Sequence, residues 1–212
     1  MPNNTVSLDL LEFIETQILP QYANFDRAHN MEHVTRVIRR AHELAQRTGA
    51  NADMVYTIAA YHDLGMSGPR AVHHITGGKI LASDARLKRW FSADQIKIMK
   101  EAVEDHRASA SRAPRSLYGK IIAEADRDIV PEVVFQRTVQ YGIANYPELD
   151  EEHHWLRFKQ HMKEKYSQTG YIRLWIPGSP NEEKLSELRR IIESPQLLRE
   201  QFNKFYLLEK QQ

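Results

Sequence analysis

Residues of metal-binding type recur where apolar helical segments end. His62-Asp63 stands where a buried-type helix runs into a loop containing Gly65, Gly68 and Pro69. A neutral imidazole and a carboxylate, adjacent at a helix end, can point into one cavity, and both are ligands for Zn, Mn, Fe or Mg. The dipeptide alone is weak, so its surroundings decide. His33 lies one helix earlier, within Asn30-Met-Glu-His-Val-Thr-Arg-Val37. His73 and His74 lie one helix later, His106 ends the following helix, and Asp126 ends the next. Each successive helix thus delivers a ligand-type side chain near one end. Antiparallel packing brings such ends together, which is how metal sites are built inside helical bundles.

The chain has no cysteine. A disulfide framework, a thiolate zinc site, an iron–sulfur cluster and a Cys nucleophile are therefore excluded. Any transition metal must be held by His, Asp or Glu. Basic side chains near the same loops suit phosphate oxygens, Arg through its bidentate fork. Arg70 precedes His73, Lys79 follows it, and Arg107, Arg112, Arg115 and Lys120 surround the loop after His106. For any single one of these, a solvated charged loop is the bland alternative. Arg36 can instead hold a carboxylate structurally. His29, four residues before His33, shares its helix face if the helix starts early enough. His42 reads as surface, and His153, His154 and His161 as ordinary polar residues of a late helix. Tyr61, Trp90, Phe91, Phe135 and Tyr141 read as core. For Tyr171, Trp175 and Pro177 in a late loop, packing is favoured over base stacking.

The elements that must position these residues are helical almost throughout. Ser7 can cap a helix stopping near Pro20, and Asn30 a second one ended by Gly49. Residues 52–62 are apolar on most sides, as a central helix would be. A short helix follows from about Ala71 to Leu81. Ser92-Ala-Asp-Gln95 is a capping box for a helix to about His106. Further helices are expected over 117–125, from Pro131 to about Asn145, and from Asp150 to about Ser167. Ser179-Pro180-Asn-Glu182 reads as a capping box with Pro at the first helical position, and Ser194-Pro195 starts the last helix. The fold class is all-α, with eight to ten helices and no internal repeat, in one domain over 1–212.

The remaining bounds come from composition. Lys+Arg 29 against Asp+Glu 28 leaves a net charge of +1, no electrostatic footprint for nucleic acid. No run of ~18 apolar residues exists, so no membrane-spanning helix is expected. Met1-Pro2-Asn3-Asn4 lacks the pattern of a secretory signal. A cytoplasmic protein is the expectation, and a homodimer is left open.

The stretches His33-Val-Thr-Arg-Val37, Ala59-Ala-Tyr-His-Asp-Leu-Gly65 and Glu124-Ala-Asp126 together resemble the HD-domain metal-dependent phosphohydrolase superfamily. His73-His-Ile-Thr-Gly77 and Val103-Glu-Asp-His106 fit the same pattern. The likeness covers about residues 29 to 130, with 131–212 a C-terminal helical extension. It implies an HD-type helical bundle in which His33, His62, Asp63 and Asp126 hold a first divalent metal ion. Asp63 would bridge to a second ion, completed by His73 and His106, with His74 competing for the place of His73. The ions, one or two per chain, would be Mn, Fe, Mg, Zn, Ni or Co. Asp63 and His106 are the implied catalytic residues, and Arg70, Lys79, Arg107 and Lys120 the substrate-binding ones. The implied activity is hydrolysis of a nucleotide or other small phosphoester by a metal-activated water. His106 or His74 is available as the acid for the leaving group if not ligated. A di-iron oxygenase and a non-catalytic nucleotide sensor are the rival readings. There is no Glu four residues after His62-Asp63, and no Gly-Tyr-Pro after His74. Nucleotidase and cyclic-dinucleotide phosphodiesterase relatives are therefore poorer models.

Overall fold

A computed structural model describes residues 5–25, 29–110 and 112–211; the N-terminal tetrapeptide read above lies outside them. Among these residues there are ten α-helices and no strand. They are α1 (Leu8–Gln17), α2 (Met31–Thr48), α3 (Ala52–Tyr61), α4 (His73–Ser83), α5 (Ala93–Asp105), α6 (Leu117–Ala125), α7 (Pro131–Asn145), α8 (Glu151–Tyr166), α9 (Pro180–Glu193) and α10 (Pro195–Lys210). The chain divides into two compact units, residues 1–127 and 128–212. The boundary falls close to where the resemblance ends.

Local chemistry sets most helix ends. The Asn30 side chain accepts from the His33 N–H to start α2, and Gly49 ends it at φ 69°, where a Cβ would be strained. Asn51 caps α3 in the same way, and Ser92 with Gln95 forms a complete capping box on α5. Ser7 occupies the cap position of α1 but makes no cap bond. Its N–H and hydroxyl both donate to Asp53, tying α1 to α3.

Two expectations are corrected. The helix expected from Ala71 begins as a 3-10 turn, Arg70–Val72, before the α-helix starts at His73. Ser179 forms no capping box, because its hydroxyl is buried without a partner while Glu182 accepts from the Gly178 N–H instead. Further 3-10 segments at Leu19–Asn24, Leu64–Ser67 and Ala85–Arg89 have no signature in the apolar spacing.

In the first unit α3 is central. Met54, Val55, Ile58, Ala59, Ala60 and Tyr61 are all buried, and α1, α2, α4, α5 and α6 pack on it. Helix α4 packs on α5 and on the Leu64–Ser67 turn. In the second unit, α10 packs on α7, α8 and α9 around Phe135, Trp155, Phe158 and Phe202. His154, read as an ordinary polar residue, is buried there with its ring 5.7 Å from that of Tyr206. Burial likewise holds His161 down to about 4.

Candidate metal centre

Five helix ends of the first unit carry the histidines and aspartates singled out above. His33 sits in the first turn of α2, and His73 is the first residue of α4. His62, His106 and Asp126 are the residues that close α3, α5 and α6. The partial negative charge of three helix C-termini thus accompanies these side chains and favours a cation.

Asp63 lies between two histidine pairs. Its Oδ2 is 3.2 Å from His62 Nε2 and 3.3 Å from His33 Nε2. Its Oδ1 is 3.5 Å from His106 Nε2 and 3.6 Å from His73 Nε2. Asp126 Oδ1 is 3.3 Å from His33 Nε2 and 3.9 Å from His62 Nε2. Two ligand groups result, His33–His62–Asp63 and Asp63–His73–His106, each close enough to hold a metal ion. His62, Asp63 and His106 are buried, while Asp126 is partly open to solvent.

The ring orientations test whether a cation fits. His62 Nδ1 lies 2.7 Å from the Ala59 carbonyl oxygen, His73 Nδ1 2.7 Å from that of Arg70, and His106 Nδ1 2.6 Å from that of Val103. A carbonyl only accepts, so each Nδ1 carries the hydrogen and each Nε2 presents a lone pair. Yet His73 Nε2 and His106 Nε2 are 3.0 Å apart, with Asp63 Oδ1 within 3.6 Å of both. Bare lone pairs at that distance, beside a carboxylate, repel unless a positive charge sits among them. A proton or a metal ion supplies it. The backbone-anchored Nδ1–H is also the outer-shell bond that orients metal-bound histidine.

Without a metal, protons take that place. Burial disfavours charge on His33, but Asp126 and Asp63 outweigh it and push His33 up to about 9. His106 is also raised against its burial, again by Asp63 and Asp126. Burial would raise Asp63, but the surrounding His62, His106 and His33 hold it well below the carboxylate range; Asp126 is lowered too, chiefly by His33. His73 is lowered by burial and by the charge on His106.

The turn carrying His62-Asp63 is held by contacts far apart in sequence. The buried Tyr22 hydroxyl donates to the Ala60 carbonyl (2.9 Å) and accepts from the Asp63 N–H (3.3 Å). Gly65 lies directly against α4. A Cβ there would overlap the His73 carbonyl oxygen and stand 2.6 Å from the Gly77 nitrogen. A Cβ on Gly77 would stand 3.0 Å from the His62 carbonyl oxygen and 3.2 Å from Val103. These two glycines let the His62-Asp63 turn and the start of α4 touch, backbone to backbone. The sequence reading missed Tyr22 altogether and used Gly77 only as a spacing mark.

Of the His73-His74 pair, His73 faces Asp63. The ring of His74 lies 5.6 Å from that of His73, its Nδ1 buried without a partner. His29 stands at the edge, its ring 6.0 Å from that of His33. Arg107 reaches across from the end of α5 to donate to the Ala71 carbonyl at 3.0 Å, beside His73 and His74, and its charge bears on His74. Arg70 is exposed three residues before His73, where α4 begins.

The other basic residues go elsewhere. Arg115 is committed to Asp105, Glu104 and the Glu101 carbonyl, and Arg112 to Asp105. Together with the Arg115 N–H bond to Asp105, these contacts anchor the loop after His106. Arg36 contacts Glu32 and, at 3.4 Å, His33 Nδ1. Lys79 and Lys120 lie six residues from His73 and Asp126, about 240° around their helices, so neither shares a face with its neighbour in the centre.

Residues 30–129 match the family model of the HD domain. No curated protein and no solved structure gives a match to the chain. No helix among the described residues is long and apolar enough to cross a membrane.

Proposed function

Residues 30–129 form an HD domain, a family that is generally hydrolytic and binds divalent metals; from this we propose that the protein is a metal-dependent phosphohydrolase acting on a nucleotide or another small phosphoester. The observation that carries the reading is Asp63, whose two oxygens are divided between two histidine pairs. In this proposal His33, His62, Asp63 and Asp126 hold one ion, and Asp63, His73 and His106 a second. Such ions supply Lewis-acid charge and lower the pKa of bound water from 15.7 toward ~7.

The chain's own groups do the rest. The Ala59, Arg70 and Val103 carbonyls fix three imidazoles with Nε2 turned inward. Arg107, with Arg70 nearby, supplies positive charge for phosphoryl oxygens, whose charge needs stabilising in the transition state. His106 is drawn into the second ligand group, so His74 is left as the candidate to protonate the leaving group. The four imidazoles and two carboxylates would also suit two irons, which keeps the oxygenase as the second reading.

Metal analysis with a substrate screen tests this. Mn-loaded protein is expected to release phosphate or a nucleotide from at least one member of a panel of mono-, di- and cyclic nucleotides, sugar phosphates and dinucleoside polyphosphates. Asp63→Ala should lose metal and turnover together, and His106→Ala one of two ions. Fully metallated protein without turnover would overturn the proposal. Oxygen consumption with an organic phosphonate or polyol would then point to the oxygenase, and tight binding of one nucleotide to a sensor.

A further inference from the structure

The second unit contains a cavity of about 270 Å³, remote in sequence from every residue of the metal centre. It lies between α8, the turn over 167–169 and the junction of α9 and α10. Buried Trp155 and Leu198 with half-buried Ile192 make its base, and exposed Lys159 and Lys163 stand on its wall. Trp155, Lys159 and Lys163 recur every four residues on α8 and so form one stripe.

Neither lysine has an ion-pair or hydrogen-bond partner for its ammonium among the described residues. Glu164 accepts from Gln160 at 2.8 Å. Glu193, the one carboxylate lining the cavity, acts on Arg189, four residues before it on α9. Against that single carboxylate the wall on α8 carries two ammonium groups, which leaves a net positive charge above an apolar base. The volume is near the lower end of ligand pockets, roughly 300–1,000 Å³, which fits a metabolite-sized molecule.

We propose that this cavity binds a small organic anion: a flat apolar body against Trp155, Ile192 and Leu198, with a carboxylate or phosphate between Lys159 and Lys163. An uncharged ligand would gain nothing from the two ammoniums, and an inorganic anion nothing from the apolar base. The combination is what selects an anion with an aromatic or compact aliphatic body. The inference is independent of the metal chemistry proposed above.

The probe is phenylphosphonate, whose P–C bond resists phosphoester hydrolysis, titrated into the full-length protein. Benzyl alcohol and inorganic phosphate serve as the uncharged and body-less controls. Tryptophan emission and calorimetry are the readouts, and Trp155→Phe assigns the optical signal among the three tryptophans. Saturable binding of phenylphosphonate is expected, tighter than that of either control. Lys159→Gln/Lys163→Gln should weaken it at least tenfold, since one charge-assisted hydrogen bond is worth about that. Both lysines are exposed, so metal content and melting temperature should stay those of the parent. Equal binding of benzyl alcohol, no effect of the double variant, or no binding at millimolar probe would overturn the proposal. So would binding that survives the double variant and disappears in Asp63→Ala, which would place the anion at the metal centre.

Discussion

Gly65→Ala is the sharpest perturbation of the proposed second metal site, because it alters no ligand. The added Cβ would stand 2.6 Å from the Gly77 nitrogen and 2.8 Å from the His73 carbonyl carbon, and would overlap the His73 carbonyl oxygen. All three are backbone atoms, so no side chain can swing aside. Restoring an ordinary contact of ~3.5 Å to the Gly77 nitrogen alone requires the turn and the start of α4 to separate by about 0.9 Å, and freeing the His73 carbonyl oxygen requires more. His73 is the first residue of α4 and moves with it. Ligand distances tolerate only about ±0.2 Å. The Asp63–His73–His106 group should therefore open, while His33, His62 and Asp126, whose helices α2, α3 and α6 pack on one another, stay gathered. One ion should be lost and one kept. Overpacking should cost about 1–3 kcal/mol of stability. A reacting group misplaced by ~1 Å should lower turnover about 10²-fold.

The assays are metal per chain by mass spectrometry, phosphate release on whichever substrate the screen identifies, and urea denaturation. Gly68→Ala is the control, since a Cβ there meets its nearest atom at 3.7 Å, an ordinary contact. If Gly65→Ala keeps both ions and full turnover, backbone contact at Gly65 does not set the position of His73. The same loss in Gly68→Ala would also refute the reasoning.

Tyr22→Phe removes the hydroxyl shared by the Ala60 carbonyl and the Asp63 N–H, and should cost about 1–3 kcal/mol in urea melts; unchanged stability and metal content would show the turn holds itself. Arg115→Ala should cost on the order of 2–3 kcal/mol, below the usual figure for a buried ion pair because the guanidinium is partly in water while Asp105 is buried; a smaller loss would mean the Arg115 N–H alone anchors the loop. In metal-free protein His33 is raised from 6.5 to about 9, so its contribution to stability is full below about pH 6.5 and is lost as pH rises through about 9. Denaturation in a chelator at pH 6, 7.5 and 9 should show that decline, and a bound metal, which needs neutral His33, should abolish it.

The helices were legible because their signals are local. Asn30, Gly49 and Ser92 act within a few residues, and the apolar spacing of α2 needs no knowledge of its partner. The gathering of the His and Asp side chains that could hold a metal was legible for a related reason. These residues sit at helix ends, so reading where helices stop also reads which side chains the antiparallel packing can bring together. Ser179 shows the limit of such local reading: the capping-box residues are present, but burial of the hydroxyl leaves the helix start to the Glu182–Gly178 bond.

What stayed hidden depends on contacts between segments that no periodicity links. Tyr22 lies 41 residues from the Asp63 N–H it receives, inside a 3-10 segment without a helical pattern. Gly65 reads as a loop glycine until α4 is laid against it, when it becomes the point where two backbones must touch. The basic residues make the complementary case. By type alone Arg107, Arg115, Lys79 and Lys120 are equivalent phosphate candidates. Their directions separate them: Arg115 is held by buried Asp105, the two lysines are turned by their helices, and Arg107 reaches the segment leading into His73. Ligands at helix ends converge because the ends converge. A cation in a loop or on a helix flank carries no such constraint, so its role follows from tertiary placement rather than from spacing.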